Sequence, residues 1–254
     1  MHNNSVKAEE VPVPEQPRYS VRLAVSDADV LLSQQLRYEV FAEEMGADVG
    51  GSTDQKLDRD RFDEHCQHML VTETASGKLV ASTRLLNREG ANAIGSYYSE
   101  TEFDMRAIKA LEGDLLEVGR TCVRDGYRNG AVIATLWQGL ASHIVDNEIP
   151  YMIGCASIEW GSDGSMVHAV ARRLQQKYLV EESLRVTPNV RVPNPDSDCV
   201  VTALKIPPLM KAYVSLGAKI CGEPSWDEAF GVADLFILLK TSDLSSRYAR
   251  HFFE

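Results

Sequence analysis

The stretch Leu115-Leu-Glu-Val-Gly-Arg-Thr-Cys-Val-Arg-Asp-Gly-Tyr-Arg-Asn-Gly-Ala-Val-Ile-Ala-Thr-Leu-Trp137 decides the fold. Leu115–Val123 reads as a strand. Polar residues follow it, and Gly130 opens a helix whose Ile133, Leu136, Trp137, Leu140 and Ile144 recur at helical spacing. A strand that runs straight into a helix start leaves unpaired backbone N–H groups and a partial positive charge at its end. Anions and polar acyl-carrier groups are held at such places.

Working outward, Tyr19–Val25 reads as a strand and Ser26 as a helix N-cap with Asp29 as its capping-box partner. Leu32, Leu36, Val40 and Phe41 form the stripe of a helix that Gly46 ends. Residues 46–62, rich in Gly, Asp and basic residues, read as a long surface loop, with Gly50-Gly51 suggesting a lid. His68–Glu73 and Leu79–Leu86 make an antiparallel hairpin around Ala75-Ser-Gly-Lys78. Glu100–Leu111 reads as a short helix after Ser99, Gly130–Asn147 as a long one, and Tyr151–Ile158 as a buried central strand. Beyond these, Met166–Tyr178 is helical, Val200–Ile206 and Ala233–Leu239 are strands, and Pro207–Leu216 is a helix stopped by Gly217. The fold class is therefore α/β (α+β): a mixed, mainly antiparallel sheet flanked by helices. One domain over residues 19–254 follows a polar, proline-containing leader at 1–18.

A hydrophobic content of 44% and a charged content of 25% are those of an ordinary soluble globular protein. No apolar run approaches the roughly 20 residues that span a bilayer. The N-terminus lacks the basic and apolar regions of a signal peptide. The expectation is a cytoplasmic protein, with peripheral contact to the inner membrane left open. A net charge of -11 argues against broad nucleic-acid binding, so no nucleic-acid partner is expected. The cysteines Cys66, Cys122, Cys155, Cys199 and Cys221 are odd in number and show no CxxC spacing, which disfavours a disulfide or zinc framework. His65-Cys-Gln-His68 has no second ligand set, so no metal is expected.

Four groups of residues carry a resemblance. Arg37 and Phe41 lie one turn apart in the first helix, Asp60 and Asp63 end the long loop, Arg84 lies on a strand, and Glu117 and Arg120 lie on the strand before the central helix. In order and spacing this series resembles the acyl-homoserine-lactone synthases, which share the fold of the Gcn5-related N-acyltransferase superfamily. The C-terminal half is longer. Its Pro207-Pro-Leu-Met-Lys-Ala-Tyr213, Leu216-Gly-Ala-Lys-Ile-Cys-Gly-Glu-Pro224, Ala233-Asp-Leu-Phe236 and Arg247-Tyr-Ala-Arg-His-Phe252 resemble the bacterial ornithine N-acyltransferases of ornithine-lipid synthesis. That resemblance implies transfer of a 3-hydroxyacyl chain from acyl carrier protein to the α-amine of ornithine, giving lyso-ornithine lipid, with no bound cofactor. Two other readings stand beside it: an N-acyl amino-acid or signal synthase with another acceptor amine, and a non-catalytic acyl-lipid-binding protein.

Within that reading Glu117 orients or deprotonates the amine, or else pairs with Arg120 or Arg84 as an ion network. Asp60 and Asp63 receive the two ammonium groups of ornithine, or belong to a solvated loop. Arg84 and Arg37 bind the substrate carboxylate or lock the acceptor loop. Arg37 leans to the structural role because it shares a helix face with Phe41. The backbone N–H near Val123 meets the oxyanion, on the premise that strands splay there. Tyr127, or a tyrosine near it, protonates the leaving thiolate. Gly130 and Ala131 begin the donor helix, and Arg124 and Arg128, with Arg172, Arg173 and Lys177, dock the acidic carrier. Acetyl-CoA enzymes of the superfamily carry a Q/R-x-x-G-x-G/A loop around the CoA pyrophosphate. Aligned on Gly130, this chain has Tyr127 at the first position and Val132 at the last, which suits a donor without a pyrophosphate end. Trp137, Leu140, Met152 and Ile153 are candidate lining for the acyl chain. Ser245–Phe253 is either a membrane-touching segment or a tail packed on the domain.

Overall fold

A computed structural model describes residues 17–49, 53–195 and 204–244. The leader, the Gly50-Gly51 lid and the Ser245–Phe253 segment fall outside those residues, apart from the leader's last two.

The first strand, β1 (Tyr19–Leu23), leads to α1 (Asp27–Tyr38). Ser26 Oγ accepts from Asp29 N at 3.3 Å. The Asp29 carboxylate does not complete the expected box; it accepts from Val25 N at 3.0 Å and pairs with Arg22. A π-helical turn, Glu39–Glu44, prolongs α1 before Gly46 stops it at φ 73°. Leu36 and Val40 of the predicted stripe are buried, whereas Leu32 is 48% exposed. The hairpin is formed by β2 (Gln67–Glu73) and β3 (Leu79–Leu86). α2 (Arg88–Ile94) follows, capped by Asn87.

The helix expected over Glu100–Leu111 does not form. A 3-10 turn spans Tyr98–Thr101, followed by a short β4 (Phe103–Asp104) and a single turn α3 (Arg106–Lys109). The cause is tertiary. Asn189 N at 2.7 Å and Ser225 Oγ at 3.0 Å both donate to the Glu102 carbonyl. Phe103 and Asp104 pair with β7 (Thr187–Pro188). Backbone groups engaged this way are unavailable to a helix.

The deciding stretch gives β5 (Leu115–Val123) and α4 (Gly130–Asp146), and then come β6 (Tyr151–Glu159) and α5 (Ser165–Tyr178). α6 (Pro208–Leu216) ends at Gly217 in the left-handed region, φ 111°. β8 (Lys219–Ile220), β9 (Ser225–Asp227) and β10 (Val232–Lys240) complete the sheet. Of the strand expected at Val200–Ile206, residues 204–206 are irregular and the rest lies outside the described residues. The free edge of β10 is taken instead by β8 and β9.

The strand order is β1-β2-β3-β5-β6-β10-β8. Every neighbouring pair is antiparallel except β5 with β6, which the α4 crossover makes parallel. β3 is buried at all eight positions, because helices cover both faces of the sheet. α4 and α5 pack Val132, Leu136, Leu140, Val167, Val170 and Leu174 into the main core.

Candidate functional site

The parallel pair β5 and β6 is joined only at Leu115↔Tyr151, Leu116↔Met152 and Glu117↔Ile153. Beyond that point β5 continues to pair with β3 and β6 with β10, so the two strands part. Gly154 lies at the fork, where an added Cβ would come within 2.5 Å of the Val118 carbonyl. Only the smallest residue permits that approach. A cavity of about 830 Å³ fills the gap between the strands. Its walls are Val118–Val123 of β5 and Cys155–Ser157 of β6, closed by Phe41, Tyr98, Ile133 and Tyr213. A smaller apolar cavity of about 30 Å³ adjoins it and shares Val118, Cys155 and Tyr213 with it. Of the candidate acyl-chain residues, Trp137, Met152 and Ile153 line this inner space, whereas Leu140 is plain core.

The splay lies where an oxyanion donor was expected. Arg124 N donates to the Val80 carbonyl at 2.8 Å, on the β3 side. Successive N–H groups along a strand point to opposite edges, so Val123 N–H faces the gap.

The helix start differs from expectation. Asn129 caps α4, its Oδ1 accepting from Ala131 N at 3.1 Å and Val132 N at 3.2 Å. Tyr127 N donates to the Arg124 carbonyl at 3.1 Å and Asn129 N to the Tyr127 carbonyl at 2.7 Å. The N–H groups of Tyr127, Asn129, Ala131 and Val132 are thus occupied within the loop. Gly130 lines the cavity, but Ala131 is exposed outside it. Asn129 was missed although Asn is a favoured N-cap residue. Tyr127 is also displaced: its hydroxyl donates to Glu73 at 3.2 Å, away from the cavity, so the leaving-group role does not fit it. The tyrosines at the cavity are Tyr98 and Tyr213.

Arg124 and Arg128 are likewise engaged. Arg124 pairs with Glu39 and donates from Nε to the Leu79 carbonyl at 3.1 Å. Arg128 pairs with Glu44 and donates from Nε to the Val123 carbonyl at 3.1 Å. The π-helical turn brings both glutamates beside the donor loop, which neutralises the docking patch expected there. Arg172, Arg173 and Lys177 are exposed on α5.

On one side of the cavity lies a buried ion network. The Arg37 guanidinium, 0% exposed, donates to Asp63 Oδ1 at 2.6 Å and Oδ2 at 3.1 Å, to Asp58 Oδ2 at 3.0 Å and to the Asp58 carbonyl at 2.6 Å. Arg84 donates to Asp60 at 2.6 Å and to Asp63 at 3.3 Å. Burial pushes the Asp63 carboxyl up, but the hydrogen bonds and charge of Arg37 and the charge of Arg84 outweigh it and hold Asp63 well below the usual carboxylate range. Asp60 and Asp63 therefore hold arginines in place and do not line the cavity, while their neighbours Arg59, Arg61 and Glu64 are exposed. Asp58, fully buried, completes the network and was missed because the loop composition suggested exposure.

Arg120 reaches this network through a β-bulge. Arg84 pairs with Gly119 and Ser82 with Cys122, so one residue of β3 faces two of β5. Arg120 takes φ 50° there. A bulge re-aims a side chain, and here the guanidinium sits between the rings of Tyr98 at 4.7 Å and Phe230 at 4.8 Å. It lies 3.4 Å from Asp58 and 3.7 Å from Asp60. Phe41 packs edge-on against Phe230 at 5.6 Å. Arg84, Arg120 and Phe41 all line the cavity.

Glu117 pairs with neither arginine. Its carboxylate accepts from Tyr98 N at 2.7 Å, Ser99 N at 2.8 Å and Ser99 Oγ at 2.5 Å. Burial raises its pKa against the opposing hydrogen bonds from Ser99. Ser99 Oγ in turn lies 3.3 Å from Cys155 Sγ. Ser99, unnoticed in the sequence, links the carboxylate to the cavity wall.

The second unnoticed group is acidic. Glu102, Asp227 and Asp234 bring carboxylate oxygens within 4.8 Å of one another, and all three line the cavity. Asp234 accepts from Ser157 Oγ at 2.7 Å. Burial, then the charges of Asp234 and Asp227, push the Glu102 carboxyl up to about 9. Burial likewise raises Asp234, to about 6. An acid in the otherwise apolar Val232–Leu239 was the available signal.

Residues 36–138 match the acetyltransferase (GNAT) domain family. The chain is 34% identical to an L-ornithine N(alpha)-acyltransferase of Brucella abortus, over 91% of this chain and 88% of that protein. It is 32% identical to one of Rhodobacter capsulatus, over 91% and 93%. Among solved structures it resembles that of a CoA-dependent acyl-homoserine lactone synthase, BjaI, with MTA, at 13% identity and a TM-score of 0.57, covering 92% of this chain and 89% of that one. At that identity the likeness concerns the fold.

Proposed function

The chain belongs to the L-ornithine N(alpha)-acyltransferase family and is an N-acyltransferase, and we propose that it moves a 3-hydroxyacyl chain from acyl carrier protein to the α-amine of ornithine, giving lyso-ornithine lipid. The single observation that carries the donor choice is the loop before α4. The N–H groups of Tyr127, Asn129, Ala131 and Val132 are bonded within the loop, and buried Val132 belongs to the core. With those four groups taken and Val132 in the core, the loop is poorly suited to wrap a CoA pyrophosphate, whereas a phosphopantetheine arm needs only the cleft between β5 and β6.

The thioester lies in that cleft with its carbonyl oxygen at Val123 N–H, and the acyl chain runs toward Trp137, Met152 and Ile153. The amine attacks the carbonyl carbon and the carbon–sulfur bond breaks. The amine proton leaves to Ser99 Oγ as the hydroxyl hydrogen passes to Glu117. The raised affinity of the buried Glu117 for a proton suits it to that transfer. Arg84 and Arg120 face the substrate carboxylate, and Arg37 holds them indirectly through Asp58 and Asp63. Tyr213, at the junction of the two cavities, is placed to protonate the departing thiolate. No helix among the described residues is long and apolar enough to cross a membrane. A single-chain amphiphilic product nevertheless calls for release at a bilayer surface, so peripheral contact is part of this reading.

The test is thiol release by the purified chain from 3-hydroxyacyl carrier protein and from 3-hydroxyacyl-CoA, with L-ornithine and a panel of other amino acids. Ornithine-dependent release from the carrier protein, with the amide confirmed by mass, is expected. Release from acyl-CoA alone would overturn the donor choice, and release with a different amino acid would overturn the acceptor.

A further inference from the structure

We propose that Glu102, Asp227 and Asp234 form the receptor for the acceptor's second ammonium group, the side-chain amine that separates a diamino acid from a monoamino acid. This inference rests on the ornithine reading and adds to it the residues that select the acceptor.

The three carboxyls sit on the same cavity wall as the proposed proton path. Glu117 leads to Ser99, Ser99 to Cys155, and Cys155 lies against Glu102. An amino acid whose α-amine is at Ser99 therefore extends its side chain toward the acidic group. Unlike Asp58, Asp60 and Asp63, none of the three makes an ion pair within 4 Å among the described residues. Glu102 is 7% exposed, and its Oε2 is buried without a hydrogen-bond partner at the cavity. A buried carboxylate oxygen left unmatched is costly unless a ligand donor meets it. A proton held mainly by Glu102, which hydrogen-bonds Asp234, relieves part of the charge while the cavity has no cation. An ammonium replaces such a proton with three donors, each able to meet one carboxylate. A divalent metal fits less well, because one Asp234 oxygen already accepts from Ser157 Oγ and Mg²⁺ demands a near-ideal octahedral set.

The experiment compares kcat/KM for L-ornithine with that for L-norvaline, which has the same carbon chain and no terminal amine. In the unaltered protein the ratio strongly favours ornithine. In Glu102→Gln and Asp234→Asn it falls about ten-fold or more, because a charge-assisted contact is lost for one substrate and not for the other. Asp227→Asn, on a half-buried strand end, provides a third variant should a buried one fold poorly. An unchanged ratio in variants that fold would overturn the proposal. A second readout needs no turnover: L-ornithine raises Tm of the full chain, norvaline does not, and Glu102→Gln abolishes the difference. If ornithine raises Tm but is not acylated from any donor, the receptor stands and the reaction assigned above fails. If Mg²⁺ or Ca²⁺ raises Tm and ornithine does not, the cluster is a metal site and the proposal is overturned.

Discussion

Two buried polar clusters flank one cavity, and they are built on opposite principles. Around Arg37, carboxylates and guanidiniums are matched, with Asp58, Asp60 and Asp63 divided among Arg37, Arg84 and Arg120. Around Glu102, three acids meet with no cation within ion-pair distance among the described residues. The first cluster is balanced in charge, although Asp58 Oδ1 and Arg120 Nε have no hydrogen-bond partner, and it stiffens the long loop and fixes the arginines at the cavity. The second is incomplete, and incompleteness beside a cavity points to a ligand. Burial is common to both, so charge balance and not burial separates the scaffold from the receptor.

The comparison can be broken at its strongest point first. Arg37→Met removes the guanidinium and leaves Asp58 and Asp63 buried without their main partner. A loss of about 3–5 kcal/mol is expected in urea unfolding; a change under about 1 kcal/mol would show that the network is dispensable to the fold.

Glu117 stands between the two clusters: buried, yet held by neutral donors. Glu117→Gln keeps its shape but turns one acceptor into a donor facing backbone N–H groups. A fall in kcat of about 100-fold or more is expected, with a stability loss of about 1–3 kcal/mol. Reduced stability with kcat intact would place Glu117 among the structural acids.

The smallest effect concerns pH. A carboxyl whose folded pKa is raised stabilises the fold while protonated. That contribution is complete below its unfolded pKa and is lost as pH rises through the folded value. With Asp234 raised to about 6 and Glu102 to about 9, Tm of the ligand-free protein should decline as pH rises across that window. Glu102→Gln should flatten the upper part of the decline. A Tm profile identical in both proteins would show that Glu102 is ionised at neutral pH and balanced by its surroundings.

Much of the fold was legible. β5 spans the residues predicted for it, and α4, β6 and the hairpin depart from prediction by a residue at an end, because period and turn chemistry are local properties. The segment from Glu100 departs from the expected helix because Glu117 takes the N–H groups of Tyr98 and Ser99 at its start, and Asn189 and Ser225 donate to the Glu102 carbonyl, all from far away in sequence. Among site residues, Arg84, Arg120, Phe41, Glu117, Val123 and Gly130 do meet at one cavity. Tyr127 does not, since a strand-to-helix turn leaves the direction of its ring undetermined until Glu73 captures the hydroxyl.

The sequence by itself determined most of the order of strands and helices, the acyltransferase class and several of the charged residues at the cavity, Arg84, Glu117 and Arg120 among them, because these follow from local periodicity and from residue types in a fixed order. Tertiary structure alone decided which charges neutralise one another. Asp63 lies in a charged stretch, Asp60-Arg-Phe-Asp-Glu-His65, and Asp234 in an apolar one, Val232-Ala-Asp-Leu-Phe236, and neither context gives its partners. Only the packing of α1 and the long loop against β3 gives the first its arginines, and only the pairing of β10 with β6 and β9 places the second at the cavity with no cation within ion-pair distance among the described residues. A carboxylate's role depends on the charge and solvent within a few ångströms, and those neighbours come from distant parts of the chain.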